Sequence, residues 1–430
     1  MKVAVVGLGK IGLPLAVHYA TRGNEVVGID VTAATVEAVN AGREPFPGEA
    51  DLGRLLPEVT AAGALRATTD YAAGLREAET VLVLVPLVVD AAKEPDFSML
   101  DAATTSIAAN LRPGMLVVYE TTLPVGVTRD RWKPMLERLS GLTEGQDFDV
   151  AFSPERVLTG RVFADLRKYP KVVGALSTKG GRRVVDFYAD NIDFDVREDL
   201  PRPNGVWDLG SPEAAELTKL AETTYRDVNI ALANQFATFA DRHGIDIYAV
   251  IDSANSQPYS HIHRPGVSVG GHCIPVYPHL YLSTDPSAEL VSAARARNAS
   301  MPAHAVKLLR EAFGDLRNAT VAVLGATYRP GVKETAFSGV FELVRLLTEA
   351  GASPVVHDPL YTAQELDALG FSVFTIGGRA DAAVLHTDHP TYVAMDTDKD
   401  LPGCRVLVDG RAAFAGTIGP GLTLRTLGRP

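Results

Sequence analysis

The 430-residue sequence specifies an α/β molecule with two doubly wound parallel sheets and a long helix joining them. Three observations carry that reading. Short β-branched runs alternate with helix-permissive stretches over the first 200 residues, and the same rhythm restarts after residue 319. Between them lies the longest uninterrupted helical pattern in the chain. Length agrees, since about 150 residues per domain makes roughly three domains, expected at 1–200, 201–300 and 301–430.

In chain order, the first strand runs are KVAVVGLG (2–9), EVVGID (25–30), TVLVLVP (80–86) and MLVVYETT (115–122), extended by FDVAFSPE (148–155) and KVVGAL (171–176). Their near-continuous apolar character predicts a sheet covered on both faces. The long helix is predicted from Ser211, its N-cap, through Pro212 at the first helical position and Glu213 in the first turn, to a stop at Gly244. Leu217, Leu220, Thr224, Val228, Leu232 and Phe236 step by three and four residues and are expected to face the core. A helix this long joins domains or subunits, and a homodimer through it is the expected assembly. The third segment carries TVAVLGAT (320–327), SPVVHDP (353–359), DAAVLHTD (381–388) and RVLVDG (405–410).

Composition excludes several classes. Hydrophobic residues make up 46% and charged ones 22%, which fits packed domains and rules out disorder or collagen-like repeats. A net charge of −11 disfavours nucleic acid or an anionic membrane as partner. Two cysteines, Cys273 and Cys404, cannot build a disulfide framework and fit a reducing compartment. The longest apolar run, Val81–Val89, is nine residues and contains Pro86, far short of the roughly 20 needed to span a bilayer. Lys2 leads directly into a glycine-bearing strand run, so no signal peptide is expected. A cytoplasmic location follows as the expectation.

Gly7, Gly9 and Gly12 in GLGKIG lie between the first strand and a helix expected to begin near Ile11. In a Rossmann-like unit the three serve the tight turn, the close approach of a pyrophosphate and close helix-to-strand packing. Asp30 ends the second strand 18 residues beyond Gly12, where a carboxylate accepts from ribose hydroxyls and repels a 2′-phosphate. The cofactor is therefore read as NAD. The first turn of the third segment, GATYRPG, lacks this glycine spacing and is not expected to clasp a dinucleotide.

A second glycine cluster, PGVSVGGHCIPVYP (265–278), places Gly266, Gly270 and Gly271 just ahead of Cys273. Glycines there admit a ligand close to the backbone, and flanking N–H groups favour a thiolate. Cys404, at the start of a strand, is read as packing. His261, His263, His272, Cys273 and His279 crowd this stretch, but their spacing matches no closed zinc framework, and no metal is expected.

GLGKIG, SPERVLTG (153–160), KLAETTYRDVNIALAN (219–234) and GGHCIPV (270–276) together resemble the nucleotide-sugar 6-dehydrogenases, the family of UDP-glucose and UDP-N-acetylhexosamine dehydrogenases. The resemblance runs along essentially the whole chain, in order. It implies an NAD-dependent four-electron oxidation of a sugar C6 hydroxymethyl to a carboxylate, with no metal. Carried over residue by residue, Cys273 forms a thiohemiacetal and then a thioester, and Glu155 activates the hydrolytic water. Lys219 stabilises the oxyanion or moves a proton, and Thr122 and Thr223 lie near the reacting centre. Lys10, Ile11, Pro86 and Thr122 join Gly7, Gly9, Gly12 and Asp30 around NAD. Arg156, Val157, Gly266, Gly270, Gly271 and Arg329 join Glu155 and Lys219 around the nucleotide sugar, expected between the two α/β domains.

The sequence departs from the family pattern at named positions. Thr223 stands where asparagine is usual, Tyr277 where aspartate is, Thr159 where a glutamate is, Ala336 where an arginine meets the pyrophosphate, and Arg329 where lysine is. Lys333 and Arg329 are the cations placed to substitute for the arginine. HCIPV is closer to the N-acetylhexosamine branch, but Tyr277 leaves that signature incomplete, which tips the expectation slightly toward UDP- or dTDP-glucose. Two other readings stay open: a two-electron hydroxy-acid-type dehydrogenase, which would not need Cys273, and a non-catalytic NAD-binding regulator.

Overall fold

A computed structural model describes residues 1–90 and 92–430. The chain forms two compact units, Met1–Ala221 with His279–Thr284, and Glu222–Pro278 with Asp285–Pro430.

The first unit is built on eight strands: β1 Lys2–Val6, β2 Glu25–Ile29, β3 Leu65–Thr68, β4 Thr80–Val83, β5 Leu116–Tyr119, β6 Asp149–Phe152, β7 Lys171–Ala175 and β8 Val206–Asp208. They lie in the order β8-β7-β6-β5-β4-β1-β2-β3, the doubly wound arrangement whose order reverses beside β1. β1, β4, β5 and β6 are buried almost throughout, as expected of strands covered on both faces. The strands the sequence pattern did not mark, β3 and β8, are the two edges. Edge strands bury less, and Arg66 in LRAT breaks the apolar run.

One departure matters for the site. β7 runs antiparallel to β6, pairing Gly174 with Phe152 and Ala175 with Ala151, whereas a wholly parallel sheet was expected. A parallel return needs a crossover that carries the chain back along the sheet. The connecting helix Val162–Lys168 has only seven residues, about 10 Å, so β7 starts at the edge where β6 ended.

The second unit contains a five-stranded parallel sheet: β9 Thr320–Leu324, β10 Ser353–His357, β11 Ala382–Leu385, β12 Val406–Asp409 and β13 Thr423–Thr426, in the order β10-β9-β11-β12-β13. The unmarked strand is again an edge, β13. A smaller core of Ala233, Ala237, Ala240, Ile247, Ile251, Met301 and Leu308 holds the helical part of this unit together.

The long helix spans Pro212–His243, 32 residues or about 48 Å, and Gly244 follows at φ +65° as its left-handed stop. Its predicted core stripe is not the buried one. Leu217, Leu232 and Phe236 are 43%, 44% and 36% exposed, Thr224 and Val228 are half-buried, and Leu220 alone of the six is fully buried. The buried face includes Glu216, Leu220, Thr223, Asp227, Asn234, Ala237 and Ala240, with Ala215, Ala231 and Ala233 beside them. Its polar members are held by hydrogen bonds, such as Glu216 accepting from the Gly126 and Thr128 amides and Asp227 accepting from Arg295. Apolar periodicity cannot register a face buried in this way. Among the described residues no helix is long and apolar enough to cross a membrane.

Candidate functional site

The first unit assembles the nucleotide end. β1 leads into the helix Gly12–Thr21, with Ile11 as its N-cap residue. Gly7 adopts φ +94°, and a Cβ there would lie 2.9 Å from the Leu84 carbonyl oxygen. A Cβ on Gly12 would lie 1.9 Å from the Gly7 carbonyl oxygen, so helix and strand meet at a distance only glycine permits. A Cβ on Gly9 would meet nothing within 4 Å, which leaves room above that backbone for a ligand. Lys10 is exposed and Ile11 half-buried beside it.

Asp30 follows β2 and is oriented by backbone, its two oxygens accepting from the Leu8 and Thr32 amides at 2.8 Å each. Each oxygen keeps a lone pair for a ribose hydroxyl. The glycines, the helix N-terminus and this carboxylate fit the adenosine half of a dinucleotide. Pro86 is exposed in the loop after β4, and Thr122 is buried just beyond β5. Both therefore follow the carboxyl ends of strands, where such sheets bind ligands.

Glu155 emerges beyond β6. Its Oε1 accepts from the Arg156 and Val157 amides at 2.6 and 3.1 Å, and its Oε2 from Lys171 Nζ at 2.7 Å. Burial pushes this carboxyl up, but Lys171, the Arg156 amide and the nearby charge of Lys219 hold it below its usual range. Lys171 also donates to Glu120 Oε2 at 3.0 Å, and Tyr188 donates to Glu120 Oε1 at 2.7 Å. Burial raises the Glu120 carboxyl despite Lys171. Burial works against the Lys171 ammonium, but the two carboxylates hold its proton more firmly than usual. Arg156 Nη1 donates to the Pro170 carbonyl at 3.0 Å. Sequence reasoning found Glu155, Arg156, Val157 and Lys219 but missed Glu120, Lys171 and Tyr188. The available signal was a charged residue abutting a fully apolar strand run, in VVYE and KVV.

The second unit assembles the thiol loop. Cys273 is exposed, and its carbonyl accepts from the Val276 and Tyr277 amides in the turn that opens the short helix Tyr277–Leu282. Gly270 and Gly271 press on the turn after β9. Added Cβ atoms would lie 2.5 Å from Tyr328 Cβ and 3.0 Å from the Tyr328 ring, and the Gly271 amide donates to the Ala336 carbonyl. Arg329 is exposed beside Tyr328, so the structure brings the predicted Gly270, Gly271 and Arg329 together. Lys333, the other cation placed to substitute for the missing arginine, pairs with Glu365.

Both ends of the loop are anchored through one chain of buried polar groups. The Gly266 amide donates to Asn234 Oδ1, Asn234 donates to Asn298, and Asn298 donates to Asp227, at 2.9, 2.9 and 2.7 Å. Asp227 receives both prongs of Arg295, whose Nη1 also donates to the Pro275 carbonyl two residues beyond the thiol. Thr223 lies on the same buried helix face as Asp227. His272 bonds Glu334 at 2.7 Å. Among the described residues no three His, Cys, Asp or Glu side chains converge as metal ligands. Cys404 is partly buried, donates to the Val406 carbonyl and has its thiol pushed up to about 11 by burial, an unreactive setting.

In the second sheet the carboxylate at the corresponding place is engaged differently. Asp358 follows β10 as Asp30 follows β2, but one of its oxygens accepts from the Ala326 and Thr327 amides and the Thr327 hydroxyl, with His389 3.3 Å away. It is 1% exposed and has no approach for a ribose.

Family models match this architecture along the chain. Those of the UDP-glucose/GDP-mannose dehydrogenase family align as NAD binding domain over residues 1–192, central domain over 213–300 and UDP binding domain over 322–416. The UDP-N-acetyl-D-mannosamine dehydrogenase of Pyrococcus horikoshii is 36% identical over 420 residues, covering 96% of this chain and 95% of that protein. The NDP-N-acetyl-D-galactosaminuronic acid dehydrogenase of Ralstonia nicotianae is 32% identical, covering 96% of each. A solved structure of the UDP-D-ManNAc dehydrogenase from Pyrococcus horikoshii superposes with a TM-score of 0.88 at 33% identity, covering 100% of this chain and 99% of that one. The chain belongs to the UDP-glucose/GDP-mannose dehydrogenase family, NAD-dependent oxidoreductases that act on a CH–OH group of a nucleotide sugar.

Proposed function

We propose that this chain oxidises the C6 hydroxymethyl of a UDP-N-acetylhexosamine to the carboxylate, with UDP-N-acetyl-D-mannosamine the first candidate. The observation that carries the reading is the thiol loop. It exposes Cys273 while its glycines Gly270 and Gly271 abut Tyr328, the neighbour of Arg329, in the segment aligned with a UDP binding domain. The preference for a glucose nucleotide drawn from Tyr277 finds no support among the relatives, two of which are named for N-acetylhexosamine chemistry. HCIPV supports the same choice.

Bound NAD supplies the hydride acceptor for each of two oxidations. Gly7, Gly9, Lys10, Ile11, Gly12, Asp30, Pro86 and Thr122 hold it. Cys273 adds to the aldehyde carbon, which fixes the intermediate in place and leaves a thioester after the second oxidation. Lys219, Thr122 and Thr223 support the oxygen that gains charge. Glu155, kept ionised, takes a proton from the hydrolytic water. Arg156, Val157, Gly266, Gly270, Gly271 and Arg329 bind the nucleotide sugar. Residues 1–200, 201–300 and 301–430 thus serve as cofactor, thiol and nucleotide segments. A homodimer completes the reading, supported by the exposed Leu217, Tyr225, Leu232, Phe236 and Phe239 on the long helix. Light scattering at micromolar concentration should give twice the chain mass, and a monomer removes this part.

The function is tested by NADH release from UDP-N-acetylmannosamine, UDP-N-acetylglucosamine, UDP-glucose and dTDP-glucose. Two NADH per UDP-N-acetylhexosamine consumed are expected. One per substrate returns the two-electron alternative, and turnover confined to the glucose nucleotides overturns the sugar assignment.

A further inference from the structure

Three strands of the first sheet bring ionisable side chains to one point of its edge. Glu120 follows β5 and Glu155 lies beyond β6, both at carboxyl ends, whereas Lys171 is the first residue of β7. In a parallel sheet a strand's first residue lies at the opposite edge. The antiparallel register continues from Phe152–Gly174 to set Glu155 opposite Lys171, and the ammonium bridges the two carboxylates at 2.7 and 3.0 Å. Lys171 is buried, and its ammonium also lies 4.8 Å from the Tyr188 ring centre.

This arrangement is expensive for stability alone, because a buried ion cluster recovers its desolvation cost only with near-ideal geometry, and apolar side chains of similar volume often serve as well. It does something apolar packing cannot. A carboxyl as buried as Glu155 would hold its proton, and a protonated carboxyl accepts none from water. Of the two Glu155 oxygens, backbone amides hold one and Lys171 holds the other.

We propose that Lys171, anchored by Glu120, is a positioning residue for the hydrolytic half of the reaction. It keeps the Glu155 carboxylate oriented and ready to accept a proton from water. The inference rests on the assignment of Glu155 as the water-activating group. In that step the water oxygen bonds to the thioester carbonyl carbon and one water proton passes to Glu155. The C–S bond then breaks, Cys273 leaves as thiolate, and the new carboxylic acid loses the remaining proton to solvent. The oxidations that precede it make no use of this cluster. Without Lys171 the protein should therefore run both oxidations and stall as the acyl-enzyme.

The charges facing Glu155 fix the sign of the pH effect. Lys171 and Lys219 favour its ionised form, the Glu120 charge opposes it, and His18 and Tyr19 face it from the helix Gly12–Thr21. Removing Lys171 leaves one cation against an anion, so turnover should fall away at a higher pH on the acid side.

The test uses the full chain with NAD and UDP-N-acetyl-D-mannosamine. Lys171→Met is expected to release a burst of two NADH per chain, to lose about 10²-fold in steady-state turnover, and to carry an acyl adduct on Cys273 visible in its intact mass. NAD affinity should be unchanged, and Lys171→Arg should restore turnover. If the single variant does not fold, Lys171→Met combined with Glu120→Gln removes the stranded buried charge and carries the same readout. Wild-type turnover, or lost turnover with no adduct in a variant that still binds NAD, overturns the inference. Glu155→Gln separates the two levels. Adduct in Glu155→Gln but in neither Lys171 variant rejects the positioning role alone, whereas no adduct in Glu155→Gln rejects the assignment of Glu155 beneath it.

Discussion

At the residue scale the three glycines of GLGKIG have different jobs, and alanine separates them. At Gly12 an added Cβ would collide with the Gly7 carbonyl oxygen at 1.9 Å, so Gly12→Ala should destabilise the first unit by about 1–3 kcal/mol through overpacking and weaken NAD binding as well. At Gly9 the same atom meets nothing within 4 Å. Gly9→Ala should melt with the wild type yet bind NAD at least about tenfold more weakly, a loss of roughly 1.4 kcal/mol or more. Thermal denaturation and NAD titration of the pair check this, and equal melting points for both variants would refute the division of labour. Cys273 and Cys404 form a second contrasting pair. Cys273 is exposed at a turn, whereas burial holds the Cys404 thiol near 11. Cys273→Ser should therefore lose carboxylate formation by about 10²-fold or more while binding NAD normally, because a serine hydroxyl is a far poorer nucleophile near neutral pH. Cys404→Ser should leave turnover as it is. Carboxylate production at the wild-type rate by Cys273→Ser would exclude covalent trapping.

At the scale of elements, the thiol loop depends on two helices that do not contain it. Asn234 and Asp227 come from the long helix, Arg295 and Asn298 from the helix Glu289–Ala299, and together they hold Gly266 at one end and Pro275 at the other. Arg295→Lys keeps the charge but loses the planar fork that reaches both Asp227 oxygens and the Pro275 carbonyl. It should lower turnover about tenfold, leave NAD binding untouched and change the rate at which iodoacetamide alkylates Cys273. An unchanged alkylation rate would show that the loop holds its shape without Arg295. These helices also show what the sequence conveys and what it hides. Central strands, the glycine turn and the helix limits were legible, because apolar runs, Gly7, Pro212 and Gly244 signal local backbone geometry. The buried face of the long helix was not, since it includes the polar Thr223, Asp227 and Asn234, and the hydrogen bonds that hold Asp227 and Asn234 come from residues 32 to 71 positions away in sequence. The same holds for Lys171. Only the reversal of β7 sets it beside Glu155, and a seven-residue connecting helix does not announce that reversal.

At the scale of the whole molecule, buried neutral histidines should make stability fall in acid, and the strongly shifted one lies in the second unit. In the second unit His386 is fully buried, bonded to Ser268 through Nε2 and to the Gly325 carbonyl and Thr387 hydroxyl through Nδ1. Burial and then the Arg411 charge hold it down at about 3. A histidine of ordinary affinity in the unfolded chain binds its proton near pH 6.5, well before the folded one does. The unfolded state therefore gains protons first as pH falls, and stability drains away from about pH 6.5 down toward 3, by an amount of the order of 4 kcal/mol. His357, held low chiefly by burial, adds to the same slope. Asp358 acts later: burial raises it, but His389 and the Thr327 and Leu360 amides outweigh that and bring it to about 2. Its contribution is complete above the ordinary aspartate range near 3.9 and is lost only as pH falls toward 2. Between pH 6 and 4 the buried histidines therefore act while Asp358 does not. Melting curves over that interval should fall steadily for the wild type and much less for His386→Gln, which keeps polar atoms toward the same partners but cannot take up the proton. If His386→Gln loses stability with acid as steeply as the wild type, the burial of a neutral His386 is not what makes the second sheet sensitive to acid.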